Sequence, residues 1–282
     1  MEYVRWTDRP ALHRPVLVAA FEGWNDAGDA ASTAARHLRD NWKGEPFATV
    51  DPEEFHDFTS TRPQVRLAEG VTREIVWPET TFYVATAPDA PNAIVLLGNE
   101  PQLRWRTFCA QVVSVAKEYD ASLVLTLGAL LADVPHTRPT SVVGTAVDPA
   151  LVERFGMRRS SYEGPTGIVG VLQDAVHRAG LPAASLWAAV PAYVPGAPSP
   201  KAALALVERA AELLQAPVST TELEIASASY ERQVTEVVAG DEEMTEYVEA
   251  LERRYDPDQG FPTADSLVEE VEKFLRDQRR PD

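Results

Sequence analysis

The amino-acid sequence predicts an α/β protein, a mixed, mainly parallel sheet flanked by helices, with a helical appendage at the carboxyl end. Three observations lead there. Four short apolar runs, at 16–21, 93–97, 123–127 and 186–190, lack the polar alternation of half-exposed strands and end in polar or turn-forming residues. That is the pattern of central parallel strands covered on both faces. Between the runs, apolar residues recur with the 3.6-residue helical period. Past Ala216-Pro217 the chain becomes acidic and helix-forming, with no further apolar strand.

In chain order, the first run feeds a helix from Ala27, with Ala30, Ala31, Ala34, Leu38 and Trp42 on one stripe. Residues 72–77 and 80–85 read as paired strands around Pro78-Glu79, an antiparallel hairpin at a sheet edge. The second run leads to a helix bearing Trp105, Phe108, Val112, Val115 and Tyr119. A third helix carries Ile168, Val171, Leu172, Ala175 and Val176 and stops at Gly180-Leu181-Pro182. After the fourth run, a proline-rich loop precedes a helix from Lys201 to about Gln215. This alternation implies right-handed crossovers. The tail shows stripes at Leu223, Tyr230, Val234 and Val237, at Tyr247, Val248 and Leu251, and at Leu267, Val271, Phe274 and Leu275, with breaks near Gly240 and Asp256-Pro257. The chain thus divides into an α/β domain, 1–215, and an acidic helical appendage, 216–282.

A formal net charge of −17 and the lack of any Lys/Arg run argue against nucleic acid and against anionic membranes as partners. The amino terminus has neither the basic start nor the apolar stretch of a signal peptide, and no window approaches a bilayer span, so the expected location is cytoplasmic. Cys109 is the single cysteine and reads as a buried, inert thiol. His13, His37, His56 and His177 have no metal-ligand spacing, and no nucleophile elbow, His-Glu-x-x-His or P-loop ending is present. No metal and no cofactor is expected.

Unusual polar residues gather in the loops that follow the apolar runs, where ligands of open parallel sheets bind. The first loop holds Glu22, Trp24, Asn25 and Asp26. Asn25 or Asp26 can serve as a helix cap, whereas neither Glu22 nor Trp24 is needed for a turn. Glu100 ends the second run, and Arg104 one turn later either pairs with it or holds an anion. His136 and Arg138 lie in a proline-bounded loop after the third run, placed to share one cleft with Glu22 and Glu100 for acid/base work, or else to close a polar network. Tyr162, Glu163, Gly164, Thr166 and Gly167 form a loop that opens a helix. Its amides suit a small anionic ligand, and its glycines equally suit tight helix–sheet packing.

These loops carry a resemblance. Phe21 through Gly28, Gly98-Asn99-Glu100-Pro101 with Trp105 and Phe108, and Pro135-His136-Thr137-Arg138-Pro139 resemble the PAC2 family, named after a proteasome assembly chaperone. Tyr162 through Ile168, and Ser185-Leu186-Trp187-Ala188 with its following Pro-x-Tyr, extend the likeness over roughly residues 14–215. The acidic tail resembles actinobacterial members. The resemblance implies a phosphorylase/hydrolase-like fold similar to purine nucleoside phosphorylases, a homo-oligomer taken to be a trimer, and a proteasome-related protein partner. It supplies no catalytic residue.

Three functional readings follow. The favoured one is a binding or assembly-chaperone-like protein. The alternative is a small-molecule enzyme of nucleoside phosphorylase or hydrolase type, using Glu22, Glu100, His136 and Arg138 in a strand-end cleft. The third makes the loops purely architectural, closing an interface between subunits.

Overall fold

A computed structural model describes residues 2–68, 70–87 and 91–256. The four apolar runs become β2 (Val16–Glu22), β7 (Ala93–Asn99), β8 (Leu123–Ala132) and β10 (Ala183–Pro191). They lie side by side and parallel in the order β7-β2-β8-β10 at the centre of an eight-stranded sheet. On one flank, β6 (Thr80–Val84), β3 (Glu45–Val50) and β1 (Val4–Trp6) continue antiparallel, and on the other β9 (Val142–Ala146) pairs antiparallel with β10.

Side chains of β2 alternate between two cores. Val18 and Ala20 face α1 (Ala30–Asn41) and α5 (Pro200–Leu214), while Leu17, Ala19 and Phe21 face α2 (Trp105–Glu118) and α4 (Ile168–Arg178). Since every residue from Leu17 to Phe21 is at most 1% exposed, an uninterrupted apolar run is what this position requires. The cap residues set the helix starts. Ser199 and Pro200 open α5, Asp148 and Pro149 open the short α3 (Pro149–Phe155), and Asp241 opens α7 (Glu242–Tyr255) through the Met244 N–H at 3.1 Å.

The expected hairpin across Pro78-Glu79 does not form. β5 (Thr72–Val76) pairs instead with β4 (Gln64–Ala68) in a separate two-stranded ribbon, whereas β6 joins the main sheet between β3 and β7. The reason is burial. β6 places Thr80, Phe82 and Val84 inward, whereas every residue of β5 but the last is exposed, so the two neighbouring segments belong to different surfaces. On the ribbon, Val65, Leu67 and Ile75 fall on one face by the two-residue period and the Val65–Ile75 register, and all three are exposed, as is Trp77 just past β5, whose ring lies 4.9 Å from that of Phe58.

The acidic segment packs back on the α/β layers. Leu223 of α6 (Thr221–Ala239) joins the α1/α5 core, and Tyr230, Val234 and Val238 form a smaller cluster with Val248 of α7 and with Tyr193 and Val194. Gly240 separates α6 from α7, as its place in the sequence implies. The stripe at Leu267 to Leu275 lies outside the described residues.

Candidate functional site

The loops after β2 and β7 are tied together by Glu100. Its Oε1 accepts the backbone N–H of Ile168, the first residue of α4, at 2.7 Å, and its Oε2 accepts the N–H of Trp24 at 3.2 Å. The helix-opening amide that suits an anion is therefore occupied by a carboxylate of the chain itself. Gly167 has to be glycine there, because a Cβ would stand 2.1 Å from Asn25 Oδ1 and 2.8 Å from Glu100 Oε1. Of the two cap candidates, Asp26 caps. Its Oδ1 accepts the N–H groups of Ala31 (2.7 Å) and Ser32 (3.1 Å), and burial pushes its carboxyl pKa up. Asn25 instead lends its backbone carbonyl to the Ala129 N–H, and its buried Oδ1 meets no donor among the described residues.

Glu22 accepts from Arg36 of α1 and from Asn99 Nδ2. Arg104 turns away from Glu100, pairing with Glu54 and lying over the Tyr3 ring at 5.2 Å. Tyr162 curls its hydroxyl onto the Pro165 carbonyl at 2.8 Å, leaving no room for a Cβ on Gly164. Glu163 and Thr166 are exposed.

His136 and Arg138 do not share a cleft with Glu22 and Glu100, which corrects the expectation of one acid/base cluster. They face the tail helices. His136 is 2% exposed, with Nδ1 on the Tyr193 hydroxyl at 2.8 Å and Nε2 on Thr235 Oγ1 at 3.0 Å. Thr235 spends its proton on the Glu231 carbonyl, so it accepts from His136, which assigns the proton to Nε2 and leaves Nδ1 to accept from Tyr193. Burial first, and the Lys201 charge second, hold this imidazole below its ordinary pKa, outweighing Glu231 and Glu252. Arg138 forks onto Asp256 with two bonds, 2.7 and 3.0 Å, and reaches Glu252 at 3.3 Å. The space left beside His136 is only about 10 Å³, too small for a substrate.

A larger cavity of about 450 Å³ opens nearby, between the loop around Tyr162, Trp24, and the α4-side face of β8, β9 and β10. Trp24, Asn25, Tyr162 and Thr166 among the candidates line it, together with Trp187, Val143 and Ser185, which the strand-end argument had not singled out.

The sequence pattern of the PAC2 family matches residues 20–238. The chain belongs to the PAC2 family. It is similar to the crystal structure of a PAC2 family protein from Streptomyces avermitilis, with 48% identity over 83% of this chain and 99% of that one and a TM-score of 0.76. A proteasome-assembly chaperone homologue from Mycobacterium tuberculosis matches at 45% identity over the same shares, with a TM-score of 0.75. A second M. tuberculosis protein, described as of unknown function, is 28% identical yet covers 99% of this chain and 97% of its own, with a TM-score of 0.85. No curated protein matches the chain.

In this PAC2 chain the partners of His136 and Arg138 come from far along the sequence, Thr235, Glu252 and Asp256 of the tail, whereas Glu22 is paired by Arg36 of the helix that follows it. The acidity of the tail hinted at Glu252 and Asp256 as partners of Arg138, and nothing in the sequence hinted at Thr235.

Proposed function

We propose that this PAC2 protein binds other protein chains as an assembly-chaperone-like factor and that its partner is a proteasome subunit. The observation that carries this reading is the 45% identity, across 99% of its length, to a proteasome-assembly chaperone homologue. The spent state of the polar loops supports it, since Glu22, Glu100, Asp26, His136 and Arg138 are each engaged in holding loops and helices. An acid/base enzyme would need several of them in one cleft.

The β4–β5 ribbon supplies a surface suited to protein contact. A two-stranded ribbon is marginal by itself, and this one turns Val65, Leu67, Ile75 and Trp77 outward. The same surface would serve self-association, with the trimer implied by the family resemblance as the expected state.

Co-expression with the α and β proteasome subunits of M. tuberculosis, followed by native mass spectrometry, tests the reading. A stable complex with subunits that have not matured, lost in the Val65→Ser/Leu67→Ser/Ile75→Ser variant, is the expected result. No complex with either subunit and no change in the rate of proteasome maturation would overturn it.

A further inference from the structure

The 450 Å³ cavity falls within the size range of small-molecule sites. It exists because α4 covers this face of the sheet over β8 and β10 and stops short of β9. Alternate residues of the edge strand, Val143 and Thr145, therefore face open space, as do Ser185 and Trp187 of β10. The Trp187 indole packs against Gly128 of β8, where a Cβ would come within 2.5 Å of the ring. That close approach fixes one aromatic wall. A second indole, Trp24, 41% exposed, also lines the cavity.

Polar side chains are set among these apolar ones, with buried Asn25 and Ser185 and exposed Arg159 differing in their access to solvent. At the inner end, Ser185 Oγ and Thr126 Oγ1 are 2.7 Å apart and Gln173 Nε2 donates to Thr126 Oγ1 at 3.0 Å. Gln173 also donates to the Ala184 carbonyl through the same nitrogen, and its Oε1 accepts from no described residue. At the mouth, Arg159 is exposed and forms no ion pair among the described residues. A lone guanidinium beside apolar walls is conspicuous in a chain of formal net charge −17, where carboxylates far outnumber cations. An apolar body with one anionic end and one hydrogen-bond donor at the other matches this arrangement.

We propose that this cavity binds a small aromatic carboxylic acid, its ring between Trp24 and Trp187, its carboxylate on Arg159 and its inner end reaching Gln173. This site is separate from the surface offered to protein partners on the β4–β5 ribbon, so either proposal can fail without the other.

The probe is 8-anilinonaphthalene-1-sulfonate, which combines an aromatic body with one fixed anion and fluoresces when held in an apolar site. Titration of the full chain is expected to saturate at one probe per chain. Arg159→Gln should weaken binding about tenfold, and N-phenyl-1-naphthylamine, the same body without the charge, should bind about tenfold more weakly to the unaltered protein. Thr145→Trp, on the half-buried edge strand, should fill the cavity and remove the saturable site while circular dichroism and melting stay unchanged. If that variant does not fold, Val143→Phe is the substitute with the same expected loss. The proposal is overturned by non-saturable titration, by a site that survives both fillings, by equal affinity for the charged and neutral probes, or by light scattering that shows an oligomer with no probe site, since a second copy would then cover β9.

Discussion

Glu100 and Ile168 are 68 residues apart in sequence, yet the carboxylate of one accepts the first amide of the other's helix at 2.7 Å. The second oxygen of Glu100 holds the Trp24 N–H, so one side chain joins the loops after β2 and β7 to the start of α4. Charge-assisted hydrogen bonds to backbone amides are worth about 1.5–3 kcal/mol each, and the 3.2 Å contact belongs at the weak end of that range. Glu100→Ala should therefore cost about 2–4 kcal/mol and Glu100→Gln, which keeps one acceptor, about half as much. Urea denaturation of both variants checks this, and equal stabilities for the two would show that the carboxylate does not cap α4.

Gly167 tests the same joint from the backbone side. An added Cβ would press on Asn25 Oδ1 and Glu100 Oε1 at once, and Glu100 Oε1 can retreat only by giving up its bond to the Ile168 N–H. Gly167→Ala should cost about 1–3 kcal/mol, in the range of overpacking. A control at Gly156, where a Cβ meets nothing within 4 Å but φ is +60°, would report backbone strain without the clash. Gly167 itself has φ −94, open to any residue, so a Gly167→Ala variant as stable as the unaltered protein would show that the crowding against Asn25 and Glu100 contributes nothing.

The parts of the fold that were legible are those whose burial is symmetrical. β2, β7, β8 and β10 are covered on both faces, so each reads as an apolar run whatever its neighbours are. β3 and β9 were not legible, because Pro46 sits at a bulge in one and half-buried Val142 to Thr145 compose the other, with no run and no clear alternation. The mispaired hairpin failed for a related reason. Proximity across Pro78-Glu79 favoured pairing of 72–77 with 80–85, whereas the choice was settled by β3 and β7, which are distant in sequence. For the polar loops, the sequence located the residues but not their partners. Thr235 is 99 positions from His136, and no local pattern announces that contact.

His136 gives the stability a pH dependence. Its folded pKa lies below the ordinary 6.5, so the unfolded chain binds the extra proton first as pH falls. The contribution is complete above about 6.5 and declines as pH drops from there toward the lower folded value. His136→Gln has no such group. The stability lost between about pH 7.5 and about pH 5 should therefore be smaller in the variant than in the unaltered protein. His56, also held low by burial, is common to both and cancels in the comparison. An equal loss in the two proteins would mean that His136 takes up its proton as readily in the folded chain as in the unfolded one.

Arg138 couples the strand-end loop to the end of α7. Its fork onto Asp256, its contact with Glu252 and the Tyr255 hydroxyl on the Pro139 carbonyl are the chief ties of the last turn. The apolar contacts of the helix lie further back, at Val248 and Leu251. Lysine keeps the charge of Arg138 but cannot fork. Arg138→Lys should therefore loosen the carboxyl-terminal turn alone, and hydrogen exchange should quicken at residues 252–256 and stay unchanged at 244–248. Because these groups are only half-buried, salt should have a weaker effect of the same kind on the unaltered protein, screening the pair while the apolar contacts hold. Faster exchange along the whole of α7 would instead mean that the ion pair, and not the packing of Val248 and Leu251, keeps the helix docked.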